Sequence, residues 1–364
     1  MWNRHSTTLP LGQLFVLGFR GEELRPGHWL HHALQHKNLG GVVLFDRNVD
    51  GSIQNISSPV QLRRLTADLQ NAAGGGLLIA VDQEGGKVCR LKATAGFCAQ
   101  PAARDLGNQG LEASKNAASS CAKMLKSCGI NLNFAPVVDL DYASPSPIIG
   151  RYGRSFGTDP ENVYQHALAW IKAHHAQGVA CCLKHFPGHG SARSDTHHGF
   201  VDASATWQPQ ELEPYRRLIA AGFEDAIMTA HLVLRQLDAC GLPATLSRPI
   251  LTGLLRQELG FQGVVCTDDL QMGAIRQGWS YKEAVQKALL AGADMLVIGN
   301  NLVDQPDALQ EGVAAIEELL VTGQVKEERI LASVKRIERL RASAERDQNT
   351  INVATEHTNT SPAE

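Results

Sequence analysis

The chain has 364 residues, 34 Lys and Arg against 37 Asp and Glu, a formal charge of −3 and 43% hydrophobic residues. Nucleic acid and anionic membrane surfaces are excluded as main partners because both call for a basic face. No apolar run reaches the roughly 18 residues of a membrane-spanning helix, and Met1-Trp2-Asn3-Arg4-His5 lacks the apolar stretch of a secretory signal. A cytoplasmic location is therefore expected, unless an export or lipid-attachment segment lies upstream.

In chain order, short apolar runs predict strands over 13–18, 41–45, 77–81, 131–138, 179–183, 226–229, 263–266 and 295–298. Helical periodicity predicts helices over 59–73, 111–127, 161–177, 208–221, 248–259, 281–291 and 307–320, with Gly178, Gly222, Gly260 and Gly292 as stop signals. Strand and helix alternate eight times, which predicts a parallel α/β fold closed as a (β/α)8 TIM-type barrel in a single domain. A charged amphipathic helix over 326–347 completes the domain, 1–347, and the polar stretch 348–364 reads as a disordered tail. The eight cysteines are irregularly spaced. Cys181 and Cys182 are neighbours in a strand and point to opposite faces, so they read as reduced, buried small hydrophobes.

Titratable residues gather where strands end, the face on which barrel active sites are built. Asp82 follows Ile79-Ala80-Val81 and opens a glycine-containing loop that reaches Arg90; both can face a pocket. The loop is neither a dinucleotide nor a Walker pattern. Arg154, in Gly153-Arg154-Ser155-Phe156-Gly157, can clamp a sugar or carboxylate. Lys184 and His185 end the fifth strand, and Phe186-Pro187-Gly188-His189-Gly190 then forces a sharp exit. His185, His189, His197 and His198 raise the alternative of a metal site. No helical His pair is possible across that Pro-Gly turn, and no Cys-x-x-Cys is evident, so no metal or cofactor is expected.

Asp195-Thr196-His197 sets a carboxylate two positions from an imidazole. The Asp can hold the ring in one tautomer and favour its protonated form, or both residues can belong to a solvated loop. His231 follows the sixth strand. Asp268 ends the seventh, where its carboxylate can attack an electrophilic carbon and leave again, or cap the next helix, a role that better suits Asp269.

These pieces together resemble family 3 glycoside hydrolases, specifically the bacterial β-N-acetylglucosaminidases of peptidoglycan recycling. The resemblance rests on DQEGGKVCR from Asp82, NFAPVVDLD from Asn133, GRSFG from Gly153, KHFPGHG from Lys184, the Asp195-Thr196-His197 loop, MTAH from Met228 and TDDLQM from Thr267. It implies retaining hydrolysis of terminal non-reducing β-linked N-acetylglucosamine from muropeptides or chitooligosaccharides. Asp268 matches the nucleophile, His197 the acid/base and Asp195 its orienting partner. Asp82, Arg90, Arg154, Lys184 and His185 match the residues that hold the sugar. Thr196 stands where Ser is usual, and the stretch 148–153 is longer than the common turn. The competing readings are a broader β-glycosidase of the same superfamily, a metal-dependent barrel hydrolase and a non-catalytic sugar-binding barrel.

Overall fold

Alternation with period two decides what each strand faces. The computed structural model of the chain describes residues 9–142, 148–196 and 199–345. The main strands are β1 Phe15–Leu17, β2 Gly41–Leu44, β3 Leu78–Val81, β4 Leu132–Asn133, β5 Ala180–Phe186, β6 Ala226–Thr229, β7 Val264–Cys266 and β8 Leu296–Ile298. They form one eight-stranded parallel sheet in which β7 and β8 stand at the two ends of the strand order. A parallel bridge from Cys266 to Met295 joins those ends and closes the ring.

Val16, Val43, Ala80, Leu132, Cys182, Met228, Cys266 and Val297 pack with one another inside the ring. Their alternates, among them Leu17, Val42, Ile79, Cys181, Ile227, Val265 and Leu296, pack in the larger apolar shell shared with the helices. Cys181 and Cys182 do fall on opposite sides, and all eight cysteines are unpaired.

Each predicted helix is present, with ends set by local chemistry. Ser58 accepts from the Gln61 N–H at the start of Pro59–Ala73, and Gly74 ends that helix at φ 73°. Asp159 caps Pro160–His175, and Ser280 and Glu283 form a reciprocal cap on Tyr281–Ala291. Three local features differ from the sequence reading. Leu11–Leu14 is a 3₁₀ turn rather than the start of β1, and a side chain at Gly12 would collide with the Lys37 carbonyl. In 131–138 the strand is Leu132–Asn133, and pairing resumes only as a single bridge from Val137 to Lys184, past Pro136, which has no N–H to give. Pro249–Glu258 is wound as a π-helix. The sequence reading also passed over the hairpin of Gln83–Gly85 with Val88–Cys89, and the short pair of Val201–Asp202 with Leu232–Val233.

The helix Glu327–Glu345 closes the end of the barrel opposite the site. Its Ile337, Leu340 and Ala344 join the interior cluster. Asp294, fully buried just before β8, ties it down. The aspartate accepts from Ser333 Oγ at 2.6 Å, Arg336 at 3.2 Å, Arg329 at 3.3 Å and the Val265 N–H at 3.0 Å, and it also pairs with Arg256. Asp294→Ala strands three guanidinium groups, so a loss of about 3–5 kcal/mol is expected in denaturant unfolding. No helix among the described residues is long and apolar enough to cross a membrane.

Candidate active site

The carboxyl ends of the strands deliver the titratable groups. Past β3, the Gln83 side chain accepts from the N–H groups of Arg90 and Leu91 at 3.0 and 2.9 Å, which folds the hairpin back over the mouth of the barrel. Gly85, at φ 98°, is required there: a side chain would lie 2.1 Å from the Pro101 carbonyl. Arg90 is thereby brought 3.4 Å from Asp82 and 3.9 Å from Asp46, with its guanidinium over the Phe45 ring.

β5 runs three residues further than the sequence reading had it, so Lys184 and His185 belong to the strand itself. Lys184, only 2% exposed, donates to Asp82 at 2.6 Å and sits 2.8 Å from Glu84. Arg154 grips Glu84 with two bonds of 2.7 Å and donates to His185 Nε2 at 3.2 Å. His185 Nδ1 donates in turn to Asp139 at 2.7 Å, which sets the tautomer of the ring.

This alternation of charge keeps the buried acids ionised. Burial works to raise Glu84, but Arg154 and then Lys184 overcome it and hold the carboxyl at about 2. Burial opposes the ionised form of Asp82 as well, and Lys184 and Arg90 bring that carboxyl below its usual range. Asp82 and Glu84 more than offset the burial of Lys184, whose ammonium is held above its ordinary value. Because the folded-state value of Glu84 lies below the ordinary 4.5, its contribution to stability is complete above about pH 5 and is lost as the pH falls toward 2. Glu84→Gln is expected to flatten the acid-unfolding curve in that window and to lower kcat/KM, measured by unfolding against pH and by steady-state kinetics.

β7 ends at Cys266, and the two aspartates that follow divide their roles. Asp269 accepts from the N–H groups of Gln271 at 2.9 Å and Gly299 at 3.0 Å, bracing the turn. Asp268 accepts from the Asp269 N–H at 2.8 Å and lines the central cavity, about 130 Å³, with Asp82, Glu84, Arg154, Lys184 and His185. A second chamber of about 130 Å³ shares Asp82, Arg90, Met228, Asp268 and Met272, and it continues between the apolar side chains of Val43, Phe45, Phe134 and Val297. His231 hydrogen-bonds Thr245 Oγ1 and the Asp269 carbonyl, so it braces the turn that carries Asp268.

Six predicted residues, Asp82, Arg90, Arg154, Lys184, His185 and Asp268, thus surround one cavity. Thr196 lines it too, and its carbonyl accepts from the Ala274 N–H at 3.1 Å. Asp195, half-buried, adjoins Thr196 but is not itself part of the cavity wall; His197 lies outside the described residues. Among the described residues, no group of three His, Cys, Asp or Glu is arranged to hold a metal ion.

The sequence reading gave no role to Glu84, Asp139 or Glu211, and weighed His189 only as a metal ligand. Glu84 and Asp139 stand within two of the motifs quoted above, but their partners lie far along the chain. His189 lines the cavity, and among the described residues both its ring nitrogens lack a partner; burial and the neighbouring His185 lower it to about 4, which keeps it neutral. Glu211, fully buried behind the KHFPGHG segment, is raised by burial to about 7.

The family described as "Glycosyl hydrolase family 3 N terminal domain" matches residues 7–340. A Tolumonas auensis protein named beta-hexosaminidase is 40% identical over 298 residues, 79% of this chain and 85% of its own length. A family 3 beta-N-acetylglucosaminidase from Paenibacillus superposes with a TM-score of 0.84 at 32% identity, covering 99% of this chain but 65% of that longer one. Beta-N-acetylhexosaminidase from Beutenbergia cavernae superposes with a TM-score of 0.82 at 30% identity, over 93% of this chain and 99% of that one.

Proposed function

The chain belongs to glycoside hydrolase family 3 and is a β-N-acetylhexosaminidase of that family, and from that premise we propose that it removes terminal non-reducing β-linked N-acetylglucosamine from cell-wall fragments with retention of configuration. Asp268 attacks the anomeric carbon while His197, oriented by Asp195, gives a proton to the departing oxygen. In the second half-reaction His197 takes a proton from water, and that water displaces Asp268. The observation that carries this reading is the shared cavity: Asp268 from β7 faces the sugar-binding set from β3 and β5, and Thr196, between Asp195 and His197, lines the same space.

Asp82, Arg90, Arg154, Lys184 and His185 hold the ring hydroxyls. The buried ion pairs among them keep donors and acceptors aimed at fixed points before the sugar arrives. Beside Asp82 and Arg90, the acetyl methyl lies in the chamber of Phe45, Phe134, Met228 and Met272. Eight unpaired cysteines, six of them buried, fit a reducing, cytoplasmic setting.

The test is turnover of an aryl β-N-acetylglucosaminide beside the matching β-glucoside. Burial of the acetyl group should favour the former by roughly 10–200-fold in kcat/KM. Equal rates would remove the acetyl-binding role from the apolar chamber, and activity abolished by a chelator would favour the metal-dependent alternative.

A further inference from the structure

The buried acid behind the active site has no part in the chemistry described so far, yet it grips the root of the segment that leads to Asp195 and His197. Glu211 lies in the short turn Pro209–Leu212 and is completely buried. Its carboxylate accepts from the Gly190 N–H at 2.9 Å and from Ser191 Oγ at 2.5 Å. The backbone of the segment is pressed against it: a side chain at Gly188 would come within 2.5 Å of Glu211 Cβ. Gly190 is confined from the other side, where a side chain would meet the Leu140 carbonyl. Asp139 accepts from the His189 N–H at 2.8 Å, and Trp207 Nε1 donates to the Pro187 carbonyl at 3.1 Å.

The chain therefore leaves a braced base at Ser191, and further on the Thr196 carbonyl accepts from the Ala274 N–H. Asp195 lies between these two posts. Moving the first post moves the start of the stretch that carries Asp195. The second post belongs to the segment that follows β7 and carries Asp268 on toward Ala274, so Glu211 is the anchor that sets the arm from the opposite side.

We propose that Glu211 is a positioning residue for proton transfer, fixing through Gly190 and Ser191 the origin of the arm that carries Asp195 and His197. This rests on His197 being the acid/base. A displaced arm harms the step in which a proton must reach the leaving oxygen and spares substrates whose leaving group departs as a stable anion. A residue with a merely structural role would slow both kinds alike.

The experiment compares kcat/KM for a dinitrophenyl and an alkyl β-N-acetylglucosaminide across wild type, Glu211→Gln, Ser191→Ala and His197→Ala. Glu211→Gln should lose about tenfold or more on the alkyl substrate and less than about twofold on the dinitrophenyl one, a fraction of what loss of general-acid catalysis itself costs. Ser191→Ala should shift in the same direction by less, and it decides the matter if Glu211→Gln does not fold. Equal losses on both substrates in folded protein, with His197→Ala still discriminating between them, overturn the role of Glu211 alone. If His197→Ala itself fails to discriminate, the assignment beneath it falls as well.

Discussion

Replacing Asp268 by alanine should reduce hydrolysis by roughly 10⁴-fold or more, with thermal unfolding close to that of wild type. The two halves of this expectation have separate causes. Catalytically, the other carboxylates that line the cavity among the described residues, Asp82 and Glu84, are both held by cations. Asp82 is bonded to Lys184 and Arg90, and Glu84 is held by Arg154 on both oxygens. A carboxylate whose lone pairs are taken up by guanidinium and ammonium donors is a poor nucleophile. Structurally, Asp268 is half-buried, whereas the turn around it is braced by Asp269 and His231. On the proposed mechanism the space vacated in Asp268→Ala lies on the face from which the anomeric carbon is attacked. Azide should therefore restore turnover of good leaving groups and give the α-glycosyl azide, identified by the anomeric coupling in its NMR spectrum. A β-configured product would contradict attack from that face.

His197→Ala should act selectively. Removing a general acid costs about 10²–10⁴-fold when the leaving group needs a proton, and little when it does not. On alkyl glycosides the full loss is expected in kcat/KM. On dinitrophenyl glycosides kcat/KM should be nearly unchanged while kcat falls, because the second half-reaction still needs a base for water. The glycosyl-enzyme then accumulates, and a rapid-mixing trace shows a burst of dinitrophenolate. A uniform loss across the series, without a burst, would take the proton-transfer role away from His197.

The barrel was legible because strand and helix periods differ. Every predicted strand coincides with one in the ring, including the short Ala226–Thr229 run. Errors fall where a local feature breaks the pattern, as Pro136 does within 131–138. In the site, residues that directly follow apolar strands were legible, because an ionisable group at the mouth of a barrel is costly to bury and draws attention. The supporting acids were not. Glu84 meets Arg154 across 70 positions, Asp139 meets His185 across 46, and Glu211 meets Ser191 across 20. Such pairs come from the closure of the ring, and no local pattern carries them. The buried end of the C-terminal helix was hidden for a similar reason. Its sequence reads as a charged amphipathic helix without saying where its buried face docks, and only the fold brings Asp294 to its arginines.

The most direct test is to trap the covalent intermediate with a fluorinated N-acetylglucosaminyl donor, digest the protein and find the labelled residue by mass spectrometry. The sugar should be esterified to Asp268, in one copy per chain, and no label should form in Asp268→Ala. A label on Asp82, Glu84 or Asp269, or turnover of the donor with no covalent adduct and with inversion at the anomeric carbon, would contradict the assignment of residue 268 as the nucleophile.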